Sequence, residues 1–185
     1  MNTRREELVE KALNDLLEHG VAGMTLRPLA ARIGTSARLL VYHFGSKDGL
    51  ITAVMDDVQA RIQNSFASAL DSTARKPARS VMQAFWAWTI HPANVGYLRL
   101  VYEVQVLAIQ NPAVYGTYLK GTSSSWLDLI GASLPPSEQN RTIVTLCIAV
   151  IDGLLLEFMS TGDRGRTTEA LKFFDDMVTG GAQDA

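Results

Sequence analysis

At 185 residues the chain suffices for one ordinary domain, or for a small domain joined to a larger one. Its 47% hydrophobic and 19% charged residues exclude a disordered chain, and a net charge of −2 excludes a basic nucleic-acid coat. The single cysteine, Cys147, excludes an intrachain disulfide and points to a reducing compartment.

Charge is mildly uneven, +1 over residues 1–50 and −3 over the remainder, too little to argue for DNA by itself. The opening MNTRREELVEK lacks the apolar stretch of a signal peptide. The longest apolar run, 143–151, is far short of the ~20 residues that cross a bilayer. These features predict a soluble cytoplasmic protein with no membrane partner.

In chain order, Thr3, Arg4, Arg5 and Glu6 form a capping box, threonine at the N-cap and glutamate three residues on. Leu8, Val9, Ala12, Leu13, Leu16 and Leu17 recur at helical spacing as far as His19-Gly20, which predicts a first amphipathic helix. Thr25 reads as the N-cap of a second helix with Leu26, Leu29, Ala30 and Ile33 on one face and Pro28 in its tolerant first turn. Gly34 falls where that stripe stops, as a residue of positive φ would. Ser36 or Thr35 caps a third helix over 36–44, with Leu40 and Phe44 inward. Ser46-Lys47-Asp48 opens a long fourth helix that carries Leu50, Val54, Val58, Ile62 and Phe66 and reaches about residue 70.

Residues 72–77 read as a loop, 78–91 as a helix, and 95–109 as a helix apolar on most sides. Residues 115–130 read as a helix or helix pair interrupted by the soft 121–125 stretch. Pro135-Pro136 marks a turn before a long helix ending near residue 159. An exposed loop follows over 161–167, then a last helix over 168–178 with Leu171, Phe174 and Val178 inward. No strand pattern is visible. The fold class is all-α with about nine helices: a three-helix domain over 1–48, and a second helical domain over 49–185.

Two short helices meeting at a glycine turn fit a DNA-reading helix-turn-helix. Thr25, Leu29, Ala30, Gly34, Ser36, Leu40, Tyr42, His43, Phe44, Ser46, Lys47 and Leu50 follow the pattern T-x3-L-A-x3-G-x-S-x3-L-x-Y-H-F-x-S-K-x2-L. That string resembles the amino-terminal domain of the tetracycline-repressor (TetR) family of transcription regulators. The resemblance covers residues 3–50. Beyond them only the helical layout and Ile151-Asp152-Gly153-Leu154 are similar to the family. It implies a helix-turn-helix DNA-binding domain followed by a ligand-binding and dimerisation domain, in a homodimeric regulator, most often a repressor, of a double-stranded DNA operator.

A recognition helix presents its first turn to base edges, which singles out Ala37 and Arg38; an arginine reads guanine O6 and N7 with two hydrogen bonds. The plain alternative for Arg38 is a solvated surface residue. Thr25, Thr35, Ser36, Tyr42, His43 and Lys47 supply hydroxyl, imidazole and amine groups at helix ends, suited to phosphate oxygens, and Arg4 and Arg5 extend that set. For His43 the alternative is packing against the first helix, and for Lys47 an ordinary first-turn lysine. Many relatives carry a tyrosine where this chain has Val41 and a small polar residue where it has Leu39, so these two are candidates for a thymine methyl instead.

In the second domain Met82, Phe85, Trp86, Trp88, Tyr97, Tyr102, Tyr115, Tyr118, Trp126 and Cys147 could line a pocket for a small apolar or aromatic effector, although aromatics at helical spacing also build plain cores. Glu103 reads two ways, as a polar anchor in that pocket or as the partner of Arg99 four residues earlier. By the resemblance, Asp152, Gly153, Leu156 and Phe174 lie in a four-helix dimer interface. The alternative is packing within one subunit. Two recognition helices about 34–36 Å apart would then read a palindrome.

Enzyme readings find no support. There is no G-x-S-x-G, no G-x-G-x-x-G, no P-loop and no Cys/His metal spacing, so no catalytic residue, metal or cofactor is expected. Asp56-Asp57 and Asp175-Asp176 read as solvated pairs. A constitutive DNA-binding protein and an all-α ligand carrier or enzyme are the rival readings.

Overall fold

The computed structural model describes residues 3–73, 81–133 and 141–181. Among them nine α-helices follow one another: α1 (Arg4–His19), α2 (Leu26–Arg32), α3 (Ala37–Phe44), α4 (Lys47–Thr73), α5 (Val81–Thr89), α6 (Pro92–Gln110), α7 (Pro112–Ser133), α8 (Arg141–Thr161) and α9 (Arg164–Gly181). There is no strand among the described residues, and the all-α expectation holds.

Packing divides the chain into two compact units, Met1–Asn64 with Gly96–Gly121, and Ser65–Val95 with Thr122–Ala185. The boundary drawn from the sequence between residues 48 and 49 is not where packing divides. Helix α4 runs unbroken through it, and most of α6 with the start of α7 groups with the amino-terminal helices.

The first unit is built around apolar stripes that close on one another. Leu8, Leu13 and Leu16 of α1, Leu29 of α2, Leu40 of α3 and Leu50 of α4 are fully buried, and burying a leucine is worth about 1.5–3 kcal/mol. The ends of α1 form as its residues predict: Thr3 and Glu6 make both bonds of the capping box, and the N–H of Gly20 returns to the carbonyl of Leu16. Gly34 has φ 68°, the left-handed conformation that lets the chain turn from α2 into α3.

In the second unit α5, α8 and α9 pack on one another. Phe66, Phe85 and Trp88 form an aromatic cluster with ring centroids 4.6–5.6 Å apart. Trp86 is buried and donates its indole N–H to Thr168 at 3.0 Å.

Three elements differ from the sequence reading. Helix α7 continues through 121–125, because tertiary context overrides the weak helix propensity of glycine, serine and threonine. Helix α9 starts at Arg164, so the loop expected over 161–167 shrinks to a short turn: Asp163 Oδ1 accepts the N–H of Arg166 at 3.0 Å and caps the helix. On α9 the deeply buried positions are Thr167, Leu171 and Asp175, with Phe174 and Val178 only half-buried. Asp175 accepts from the Gln83 amide at 2.8 Å, which corrects its reading as a solvated carboxylate. The loop expected at 72–77 overlaps α4, which extends to Thr73; the rest of it, and the start of the helix after Pro135-Pro136, lie outside the described residues.

Candidate nucleic-acid interface

Helix α3 starts where Ser36 Oγ accepts the N–H of Leu39 at 3.2 Å, and ends at Gly45. Its faces separate cleanly. Leu40 has no exposed surface, whereas Tyr42 is 80% and Val41 45% exposed. Arg38 projects on the exposed side, and among the described residues no ion pair holds it to the chain. A leucine at zero exposure fixes the roll of the helix, and that roll sends Arg38 and Tyr42 outward together.

Neighbouring side chains fix the helix in place. The Arg5 guanidinium lies 5.2 Å from the centre of the Phe44 ring, a cation–π contact. His43 is half-buried, its ring set edge-on to Tyr42 at 5.1 Å. Below, Arg32 on α2 grips Asp15 on α1 with a two-pronged ion pair at 2.6 and 2.8 Å, although the Asp15 side chain is only 5% exposed. A buried carboxylate needs such a partner, so the pair locks the angle between α1 and α2. Sequence reasoning missed it. The available signal was one acid inside the leucine stripe of α1.

The start of α4 is equally determined. Ser46 Oγ caps the N–H of Gly49 at 3.0 Å. A side chain on Gly49 would drive its Cβ into the carbonyl oxygen of Phe44, so only glycine fits this approach. Lys47 therefore leaves the first turn of α4 directly beside the end of α3. The Asp48 carboxylate accepts the hydroxyl of Tyr115 at 2.5 Å. Burial and that bond push the Tyr115 phenol well above its ordinary pKa, so it stays a donor.

Two expected backbone-binding residues behave differently from each other. Thr25 occupies the N-cap of α2 but its side chain makes no capping bond, and the residue is exposed. The Thr35 hydroxyl is buried without a partner and is not presented to a phosphate in this arrangement. Ala37 and Leu39 are half-buried. Arg4 is exposed and pairs with Glu7 at 2.5 Å.

The residues expected to line a pocket are divided between the two units. Met82, Phe85, Trp86 and Cys147 are buried in the second unit, whereas Tyr97, Tyr102, Glu103 and Tyr118 are half-buried in the first. The side chain of Trp126 lies outside the described residues. Glu103 is held otherwise than as a pocket anchor: its Oε2 accepts the N–H of Val21 at 2.7 Å and its Oε1 lies 3.5 Å from Arg99. Arg99 donates in turn to the carbonyl of Leu17. A groove of about 220 Å³ lies between Leu127, Asp128, Gly131, Ala132, Arg141 and Val144, and contains none of the expected pocket residues.

Helix α8 carries two apolar faces. Val144, Cys147, Ile151 and Leu155 are buried, while Leu146 and Leu156 are 54% and 58% exposed. Asp152 and Gly153 lie on the exposed side, and a Cβ on Gly153 would meet nothing within 4 Å. Close packing inside the subunit is thus not what the glycine serves. On α9 it is Phe173, 67% exposed, that turns outward with Met177, rather than Phe174. As formed, α8 is long and apolar enough to cross a membrane by length and composition alone, with mean hydropathy 2.1, so the short-run criterion applied to 143–151 does not carry over to the whole helix.

The family model for bacterial regulatory proteins of the tetR family matches residues 8–54, the span from mid-α1 into α4. The chain is 26% identical over 195 aligned positions to the HTH-type transcriptional regulator BetI of Burkholderia thailandensis, covering 95% of this chain and 91% of that one. Its fold is similar to that of a transcriptional regulator from Rhodococcus, with TM-score 0.80, 20% identity and 97% of each chain covered. The multidrug binding protein EbrR, solved with imidazole, aligns with TM-score 0.62 at 21% identity over 91% of this chain and 88% of that one. Residues 8–54 thus match the tetR family of bacterial regulatory proteins where the structure shows a capped helix in a braced three-helix head, and the whole chain shares its fold with solved transcriptional regulators.

Proposed function

We propose that the protein binds a palindromic operator as a homodimer, acts as a repressor, and is released by a small apolar or aromatic effector. The observation that carries the DNA reading is the roll of α3. Burial of Leu40 turns Arg38, Val41 and Tyr42 to solvent, with Lys47 beside them at the start of α4. Arg38 reads a base edge, Val41 offers an apolar contact to a thymine methyl, and Thr25, Tyr42, His43 and Lys47 hold the backbone. Thr35 drops out of that set.

Dimerisation is supported by the outward apolar face of α8 and α9, with Leu146, Leu156, Phe173 and Met177 exposed and Gly153 leaving room for a close helix approach. A second copy of the chain covers that face. Two heads are also needed physically, since one short helix makes too few contacts to select a site. The covered face of α8 is consistent with a cytoplasmic regulator that has no membrane partner.

The effector reading rests on the aromatic second unit and on the ligand-bound structures of EbrR. It requires an effector with unequal affinity for two settings of the protein. A second reading, a constitutive binder, draws support from the mutual packing of Phe66, Phe85 and Trp88. Selection of oligonucleotides from a random pool tests the first claim: enrichment of a palindrome supports the regulator, and no enrichment at moderate salt sinks it. Titrating the complex with apolar and aromatic compounds then separates the two readings.

A further inference from the structure

We infer that Tyr115 is a positioning residue for operator binding: through its hydrogen bond to Asp48 it fixes the first turn of α4, from which Lys47 reaches the DNA backbone. The inference rests on the operator-binding reading above and deepens it, by placing part of the DNA grip outside the helix-turn-helix.

Three observations carry it. Tyr115 is 2% exposed and sits in the first turn of α7, remote in sequence from the head, yet its hydroxyl spans to Asp48 at 2.5 Å. Asp48 is adjacent to Lys47, and both lie in the turn whose cap is Ser46 and whose Gly49 abuts Phe44. The same stretch of chain holds the far end of the head as well: Glu103 accepts the N–H of Val21 and Arg99 donates to the carbonyl of Leu17, closing the end of α1. Residues 96–121 thus bind both ends of the head, and packing places them in one unit with it. A lysine on a flexible stem contributes to binding in proportion to how well its backbone is placed, because ordering it costs entropy. A carboxylate beside it that is held by a phenol is also kept from folding back onto the ammonium.

The test is a double-mutant cycle read by fluorescence anisotropy on an operator enriched by the parent protein. Tyr115→Phe removes one oxygen and keeps the ring. The expected result is a Kd about fivefold higher, the scale of one net hydrogen bond, and a salt dependence shallower by about 0.9 for each phosphate no longer neutralised. In a Lys47→Ala background, Tyr115→Phe should add nothing further. Parental affinity and salt slope for Tyr115→Phe overturn the inference, as does a penalty that simply adds to that of Lys47→Ala, which marks a general loosening of the fold. A Lys47→Ala protein that binds like the parent overturns it too. If the parent enriches no operator, the function reading falls and this inference falls with it; if the parent binds and only the cycle fails, the function reading stands.

Discussion

The three-helix head and the α8–α9 pair are made of the same kinds of residue at the same helical spacing, yet they dispose of them in opposite ways. In the head every large apolar stripe meets another stripe of the same chain: Leu8, Leu13, Leu16, Leu29 and Leu40 are buried, and what remains outside is Arg38, Val41 and Tyr42. In α8 one apolar face is buried and a second, with Leu146 and Leu156, is not, and α9 adds Phe173 and Met177 to the exposed set. The head closes its apolar stripes within its own unit and leaves polar and small apolar side chains of α3 outside. The α8–α9 pair is incomplete toward something apolar. Leucine content alone does not separate these two situations; the faces do.

The largest expected effect is inside the head. Leu40→Ala should cost about 2–5 kcal/mol of stability, a fall of roughly 2–4 °C in Tm for each kcal/mol in a chain of this size, measured by thermal unfolding. Phe173→Asp should behave in the opposite sense. Tm of the subunit changes little, while association weakens by about 2 kcal/mol or more if Phe173 is a central contact, read by light scattering across a dilution series. A Phe173→Asp protein that stays dimeric, or that melts as early as Leu40→Ala, breaks the contrast between the two regions. Arg38→Ala should leave fold and association intact and cost about 1–3 kcal/mol of discrimination at one operator position, measured by competition between the selected site and its single-base variants.

The smallest effect is electrostatic and confined to the surface of α1. Lys11, and next Arg4, hold the Glu7 carboxyl below its ordinary pKa. A lowered carboxylate pKa adds stability above the ordinary carboxylate value and loses it as pH falls through the lowered one. The contribution is therefore intact at neutral pH. Glu7→Gln should flatten the acid limb of the stability profile only slightly, because the pair is exposed and screened.

Much of the head was legible because its determinants are local. The capping box at Thr3, the cap at Ser36, the positive φ of Gly34 and the inward Leu40 all follow from residues within four positions of one another. What was not legible depends on partners far along the chain. Asp15 is buried because Arg32 is there to meet it, Asp175 because Gln83 is, and Glu103 serves the end of α1 and not a pocket because Val21 presents a free N–H. Phe173 and Phe174 are neighbours on one helix, and it is Phe173 that turns outward while Thr167, Leu171 and Asp175, the last bonded to Gln83, share the inward face. The reverse error occurred at Thr35, whose local chemistry suited a phosphate but whose hydroxyl folds inward.

The closeness of Gly49 to the carbonyl of Phe44 makes the end of α3 and the start of α4 a rigid elbow. Any side chain at position 49 would push the first turn of α4 away from the end of α3, and with it the base of Lys47 away from Tyr42 and His43.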